Sequence, residues 1–220
     1  MIEVLYEDNH LIAVNKKSGD IIQGDKTGDT PLSDHVKFYI KKKYNKKGEV
    51  FLGTIHRLDR PTSGIILFAR TSKALSRMNE QFRNQEINKT YWAIVENSPE
   101  KSFGTLKNKL QKNEKKNKSF VTKTENGKNA ILDYKLLKRL DNFFLLEIKP
   151  KTGRHHQIRV QLSNIGCIIK GDLKYGAKRS NTDASISLIA KQITFIHPVR
   201  KEEINITAPC PKTNIWNACN

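Results

Sequence analysis

The chain has 220 residues and a mass of 25.2 kDa, enough to bury a sizeable core in one large domain or two small ones. It carries 40 Lys and Arg against 22 Asp and Glu, and this net charge of +18 favours a polyanionic partner such as nucleic acid over a role in solubility alone. Three cysteines without a CxxC pair argue against a disulfide framework or a zinc site and indicate a reducing, cytoplasmic location. The N-terminus lacks signal-peptide features, and no apolar run approaches the ~20 residues that span a bilayer.

The first half of the chain predicts alternating strands and helices. In order they are strands at 3–6 and 10–15, a helix beginning at Pro31, strands at 50–55 and 65–69, a helix at 73–84 and a strand at 89–95. The first helix is indicated by Leu32, Val36 and Ile40 on one face, with Thr30 as the expected N-cap. The last strand places Tyr91 on one face.

The second half begins with a lysine-rich segment. Residues 101–128 hold nine lysines and two glutamates, and we predict a hairpin-like excursion with long exposed loops over about 97–130. The positive charge of this segment is equally compatible with a surface that is only exposed to water and with a surface that contacts RNA phosphates. Strands are predicted again at 131–134 and 143–148, followed by a helix from Ile158 that Gly166 closes.

The segment 56–64 reads HRLDRPTSG and surrounds one carboxylate, Asp59, with a histidine and two arginines. Its proline and the Thr-Ser-Gly that follows predict a tight loop leading into the strand at 65–69. Asp59 is either a structural ion pair on a surface turn, or a carboxylate that nearby arginines keep ionised for use as nucleophile or base. The segment alone leaves both interpretations open.

A second segment, 152–159, reads TGRHHQIR. The two segments resemble motifs of the RluA-type pseudouridine synthases, His-Arg-Leu-Asp-x-x-Thr-Ser-Gly and Thr-Gly-Arg-x-His-Gln-Ile-Arg. The similarity runs from about Val4 to Ala208, with Lys17 standing where the family usually has proline. We therefore expect a form without the N-terminal S4-like RNA-binding domain that many relatives carry.

The resemblance implies roles for individual residues. Asp59 matches the catalytic aspartate, Tyr91 the active-site tyrosine of a Lys-x-Tyr-x-Ala strand, and Arg159 the basic residue that pairs with the aspartate. Pattern alone would make Tyr91 core filler and Arg159 an exposed helix arginine. RNA binding and base flipping are assigned to four basic side chains: His56, Arg57, Arg60 and Arg154.

The resemblance also implies a fold and a reaction. The fold is α+β, a single catalytic domain over 1–220 with a mixed, mostly antiparallel sheet flanked by helices and an active cleft across the sheet. The reaction converts specific uridines to pseudouridine in structured ribosomal or transfer RNA through an aspartate nucleophile, with the target base flipped out. We expect RNA as the partner, a monomer, and neither cofactor nor metal.

Two other functions remain open at this stage. A non-catalytic RNA-binding or ribosome-assembly factor would use the same basic surface, and it predicts that Asp59→Ala leaves function intact in vivo. A glycosidase-like hydrolase would need two carboxylates beside the scissile bond, whereas the motif offers one.

Overall fold

The computed structural model describes residues 2–24 and 28–219. In chain order the elements are β1 (Val4–Glu7), β2 (Leu11–Lys16), α1 (Leu32–Lys43), β3 (Gly53–Thr54), β4 (Ser63–Ala69), α2 (Ser72–Arg83), β5 (Asn88–Val95), β6 (Phe103–Asn113), β7 (Lys118–Thr122), β8 (Lys128–Arg139), β9 (Phe144–Pro150), α3 (Gln157–Asn164), a short 3-10 helix (Leu173–Tyr175), β10 (Leu188–Ile196), β11 (Glu203–Thr207) and α4 (Asn214–Asn217). The chain divides into two compact units. Unit 1 is Met1–Asn88 with Ala190–Pro209, and unit 2 is Lys89–Ile189 with Cys210–Asn220.

Unit 1 is built on strands that flank the predicted catalytic loop. β2 pairs antiparallel with both β1 and β4, β3 pairs with β4, and β11 pairs with β10. One face of β2 and β4 packs against the buried stripe of α1, and the shared core consists of Ile12, Val14, Ile22, Leu32, Val36, Ile40, Val50, Ile66 and Phe68. Leu58, next to Asp59, packs against this core. The loop is therefore fixed to the unit by an apolar anchor.

Unit 2 is a run of antiparallel pairs in the order β5, β9, β8, β6, β7. Its core joins the inner residues of β5, β8 and β9 to Ile158 and Leu162 of α3. Tyr91 lies on the same face of β5 as Ala93 and Val95 and packs against this core, as strand alternation predicted. The helices and mostly antiparallel strands confirm the predicted α+β class. The single domain over 1–220 stays a prediction.

Three local details differ from the sequence-based expectations. The N-cap of α1 is Pro31 without a side-chain hydrogen bond, so Thr30 does not serve as the cap. The strand expected at 50–55 is reduced to the two residues of β3. The segment 97–130 holds the regular β6–β7 hairpin in place of long loops, because the exposed lysines of β6 alternate with half-buried residues. Among the described helices, none is long and apolar enough to cross a membrane.

Candidate active site

The loop that carries Asp59 is a tight turn at the entrance to β4. The amide of Thr62 donates to the carbonyl of Asp59 at 3.0 Å, which closes the turn. Arg60 and Pro61 occupy its centre. Pro61 restricts its own backbone and that of Arg60, so the turn has few alternative conformations. Asp59 is half-buried in this arrangement.

A fully buried lysine at the end of β2 holds this turn from inside. The Nζ atom of Lys16 donates to the carbonyl oxygens of Arg60, Thr62 and Lys17 at 2.9, 2.8 and 3.0 Å. The residues that follow Lys16 add two bonds, from Ser18 Oγ to the Pro61 carbonyl at 3.2 Å and from the Gly19 amide to the Arg60 carbonyl at 2.9 Å. Each of the three carbonyls after Asp59 thus accepts a hydrogen bond from the segment 16–19.

Burial also changes the pKa of the Lys16 amine. Burial lowers its pKa to about 8, while the carboxylates of Asp20 and Asp59 oppose this shift. The Asp59 carboxylate thus stabilises the ammonium form of Lys16. The sequence analysis gave no role to Lys16, which directly follows the strand predicted at 10–15.

Gly64 allows the loop to leave directly into β4. Its φ of +108° lies in a region that side chains disfavour, and an ideal Cβ there would lie 2.3 Å from the carbonyl oxygen of Ala190. This contact, within unit 1, brings the backbone of β4 against that of β10. The glycine of the HRLDRPTSG motif is thus required by both backbone conformation and close packing.

The three basic side chains of the loop have different surroundings. His56 accepts a hydrogen bond from the Leu67 amide through Nε2 at 3.0 Å, and its ring stacks on Phe82 with centroids 5.2 Å apart. Arg60 forms an exposed ion pair with Asp29, with Nη2 and Oδ2 2.6 Å apart. Arg57 is exposed. The geometry gives His56 a part in positioning the loop, while the side chains of Arg57 and Arg60 are both exposed.

In unit 2, Arg159 lies on α3 in a buried ion pair. Its Nε and Nη2 atoms donate to the two carboxylate oxygens of Asp172 at 2.7 and 2.8 Å. The exposed fractions of the two side chains are 5% and 1%. Two parallel charge-assisted bonds fix the plane of the guanidinium as well as its position. The pattern-based alternative of an exposed helix arginine is therefore wrong.

Tyr175 connects this ion pair to the β6–β7 hairpin. The Arg159 guanidinium lies over its ring at 5.0 Å from the centroid, and its hydroxyl accepts from the Ser119 amide at 2.9 Å. The same hydroxyl lies 2.9 Å from Nδ1 of His156. Burial, followed by the charges of Arg159 and other nearby basic groups, lowers the pKa of His156 to about 2. His156 is therefore a neutral part of this network at physiological pH.

Three further hydrogen bonds order the turn that precedes α3. The Arg154 amide and the Thr152 hydroxyl both donate to Oε1 of buried Gln157, at 2.9 and 2.8 Å. The Nε atom of Arg154 donates to the Asn129 carbonyl at 2.9 Å. The TGRHHQIR segment thus uses its polar residues to build the turn that presents α3, and Arg154 has a structural contact beside its predicted RNA role.

The predicted residues are distributed over both units. His56, Arg57, Asp59 and Arg60 share one loop of unit 1, while Tyr91, Arg154 and Arg159 belong to unit 2. Sequence reasoning missed Lys16, Asp172 and Tyr175, although all three lie within the stretch from about Val4 to Ala208 over which the resemblance runs. Among residues 2–24 and 28–219, no group of three His, Cys, Asp or Glu side chains is arranged to hold a metal ion.

Comparison with known proteins identifies the class of this protein as an RNA-modifying enzyme. Residues 10–164 match the family described as RNA pseudouridylate synthase, and the chain belongs to this family. It is 35% identical over 211 residues to the ribosomal large subunit pseudouridine synthase C of Rickettsia felis, covering 94% of this chain and 67% of that protein. The ribosomal large subunit pseudouridine synthase D of Borreliella burgdorferi is 33% identical over 210 residues, covering 93% and 61%.

Solved structures show the same fold. Human RNA pseudouridylate synthase domain containing 4 superimposes with a TM-score of 0.82 and 25% identity, covering 99% of this chain and 92% of that one. This chain spans about two thirds of the length of the bacterial relatives. Its similarity to them therefore concerns the pseudouridine synthase region rather than their full length. The resemblance stated from the two motifs is confirmed.

Proposed function

We propose that this protein converts specific uridines of ribosomal RNA to pseudouridine, with Asp59 as the nucleophile. The observation that carries the proposal is the clamped turn, in which a buried lysine and a proline restrict the backbone directly after Asp59, so that one carboxylate is presented beside cationic side chains. Membership of the pseudouridylate synthase family supports the reaction type. The names of the bacterial relatives support ribosomal RNA of the large subunit as the substrate.

The reaction needs a group that can both attack and leave. The bond between ribose C1′ and uracil N1 breaks, the uracil turns, C1′ bonds to C5, the C5 proton is lost and N1 gains a proton. A carboxylate suits the attack and the departure, and the adduct forms on either the ribose or the uracil ring. Tyr91 would stack on the base and assist removal of the C5 proton.

Two arginines complete the proposed mechanism. Arg159 would keep Asp59 ionised and oriented, a role for which its rigid guanidinium plane is suited. Arg57 would fill the stack that the flipped uridine leaves, because its exposed planar side chain can stack and donate hydrogen bonds. His56, Arg60 and Arg154 would contact RNA beside their structural bonds. No step in this scheme calls for a cofactor.

We also propose a binding partner, an oligomeric state and a cellular location for the protein. RNA is the partner, and the net charge of +18 supports binding to its phosphates. We propose that the protein acts as a monomer in the cytoplasm, where ribosomal RNA is available and cysteines stay reduced. Affinity should fall with salt by a log-log slope of roughly 0.7 for each phosphate contact on single strands.

The decisive experiment uses unmodified ribosomal RNA labelled with tritium at uracil C5. The purified wild type should release tritium to water and leave pseudouridine at defined positions, while Asp59→Asn should do neither. Asp141→Asn, at an exposed aspartate in the turn before β9, is the matched control and should keep wild-type activity. Circular dichroism establishes that each variant is folded.

Other outcomes have distinct meanings. Release of free uracil would identify a hydrolase. Tight RNA binding by the folded wild type without any pseudouridine would favour the ribosome-assembly factor. Pseudouridine formed by Asp59→Asn at the wild-type rate would remove Asp59 from the mechanism.

A further inference from the structure

The outer side of α1 presents an aromatic ring among lysines. The ring of Phe38 is 69% exposed, and Lys41 and Lys42 follow it one helical turn later. The chain turns back after the helix, with the Lys46 amide donating to the Lys41 carbonyl at 3.0 Å, so Lys46 lies beside this turn. We name these four residues, Phe38, Lys41, Lys42 and Lys46, the α1 basic face.

The α1 basic face does not serve the core of unit 1. The inner stripe of the helix is formed by Leu32, Val36 and Ile40, all buried, and Phe38 lies on the other side. The two tyrosines of this region are used internally, since the hydroxyls of Tyr39 and Tyr44 both donate to the Glu7 carboxylate. Phe38 is the aromatic residue of α1 that is left to water.

The lysines of this face are only weakly compensated. Lys41 lies 3.6 Å from Glu49, whose side chain is 97% exposed, and such surface pairs contribute little. Lys43 is different, because Glu7 holds its Nζ at 2.6 Å, and it is therefore not counted in the face. A cluster of exposed lysines around an exposed ring combines the two features of single-stranded RNA binding, phosphate attraction and base stacking.

The α1 basic face and the loop that carries Asp59 both belong to unit 1. Arg60 is paired to Asp29, three residues before α1 begins, and Leu58 packs against the core that holds the inner stripe of α1. Phe38 lies six residues into the helix, about 9 Å from Leu32 at 1.5 Å per residue. The ring therefore lies nearly two helical turns from the end of α1 that follows Asp29, the ion-pair partner of Arg60.

We propose that the α1 basic face binds the RNA strand next to the target uridine, with Phe38 stacking on an unpaired base and the three lysines contacting phosphates. The proposal rests on the function proposed above, since it extends the substrate site of the same enzyme. Stacking on Phe38 would not depend on the RNA sequence, because every base has a π face that can stack on an aromatic ring.

Binding of a fluorescein-labelled 12-nucleotide oligouridylate, measured by anisotropy, tests the proposal. A 12-residue abasic oligomer of the same charge separates stacking from phosphate contact. Phe38→Ala should weaken oligouridylate binding about tenfold and leave abasic binding unchanged, whereas Phe38→Trp should retain affinity. Lys41→Gln with Lys42→Gln should weaken both oligomers and reduce the log-log salt slope by roughly 1.4, the value for two phosphate contacts.

Lys73→Gln with Lys201→Gln removes the same charge elsewhere on unit 1 and should change the slope less than the Lys41 and Lys42 pair. The binding assay needs no turnover, so failure of pseudouridine formation and failure of this proposal are separable. Equal loss on both oligomers by Phe38→Ala, or wild-type affinity of that variant, would overturn the stacking role. Loss of binding to phosphatidylglycerol vesicles by Phe38→Ala, with RNA binding intact, would assign the face to a membrane and overturn the proposal.

Discussion

The Nζ atom of Lys16 lies 2.8 Å from the carbonyl oxygen of Thr62, 46 positions further along the chain. This contact ties the end of β2 to the turn that carries Asp59. The contact restricts the conformation of the turn, because a buried amine bonded to three backbone carbonyls leaves the turn little freedom. In the proposed mechanism Asp59 is the nucleophile, and its reaction would depend on the placement of its carboxylate, so the order of this turn would bear directly on catalysis.

Lys16→Met should reduce the single-turnover rate of pseudouridine formation about 100-fold, the effect expected when a reacting group shifts by about 1 Å. The substitution keeps an unbranched side chain that is one atom shorter and removes the amine with its hydrogen-bond donors. RNA binding should change little, because Lys16 is buried. Lys17→Met, at the exposed neighbouring position, is the control and should react at close to the wild-type rate. Equal rates for the two variants would contradict the positioning role.

Lys16 should titrate near pH 8, because burial lowers its pKa to about 8 from 10.5. Between these values the unfolded chain binds the proton that the folded protein releases, so the free energy of unfolding should rise with pH across this window. The gain is at most about 3 kcal/mol. It should be absent from Lys16→Met, and urea denaturation at pH 7.5 and 10 measures the difference. The Lys16 amine signal in NMR gives the pKa directly, and a midpoint above 10 would contradict the prediction.

Gly64→Ala should destabilise the protein by at least about 3 kcal/mol, since it combines a strained backbone with a clash. The added methyl group would lie 2.3 Å from the Ala190 carbonyl oxygen at a φ of +108°. Gly48→Ala is the matched control, because a Cβ there meets open space and its φ is not in the left-handed region. Urea unfolding of both variants measures the costs. A cost below 1 kcal/mol for Gly64→Ala would show that the two backbones separate easily.

Asp172→Asn should cost about 3–5 kcal/mol of stability, because it leaves the buried guanidinium of Arg159 without its carboxylate. The variant that combines it with Arg159→Met should lose less than the sum of the two single losses, since no buried charge remains. A double-mutant cycle of urea unfolding measures this coupling. Asp141→Asn, at an exposed aspartate, should have almost no effect. Additive losses in the cycle would contradict an energetically coupled pair.

Sequence patterns were sufficient to predict those elements whose boundaries are set by neighbouring residues. The end of α3 is an example: Gly166 has a φ of +77°, its amide donates to the Ser163 carbonyl, and the Cys167 amide donates to that of Leu162. This is the Schellman arrangement that a glycine after an apolar helix predicts. The strands around Asp59 were likewise predicted within one or two residues, apart from the shortened β3.

Long-range polar contacts could not be predicted in the same way. A lysine has the same sequence signature whether it is exposed or buried, so Lys16 gave no sign that its amine binds a turn 46 positions away. The role of Asp172 could not be predicted either, because its ion-pair partner Arg159 lies on a different element. The strands β6 and β7 were obscured by charge, since lysines on their exposed face reduce the apolar contrast that marks a strand.

His156 should make the protein unusually sensitive to acid. Its folded pKa of about 2 lies below the unfolded value of 6.5, so the unfolded chain takes up a proton that the folded protein excludes. Stability should therefore fall as the pH drops below 6.5, by about 2 to 3 kcal/mol over two pH units from this group alone.

The matched test is His156→Asn. Asparagine tolerates the left-handed backbone of this position, where φ is +53°, and its amide group can form a hydrogen bond with the Tyr175 hydroxyl in place of the imidazole. The variant should lose about 2 to 3 kcal/mol less stability than the wild type between pH 6.5 and 4.5, measured by urea unfolding. His35→Asn, at an exposed histidine of α1, should follow the wild type. If the wild type and His156→Asn lose the same stability, His156 accepts its proton inside the folded protein and the Tyr175 network tolerates the charge.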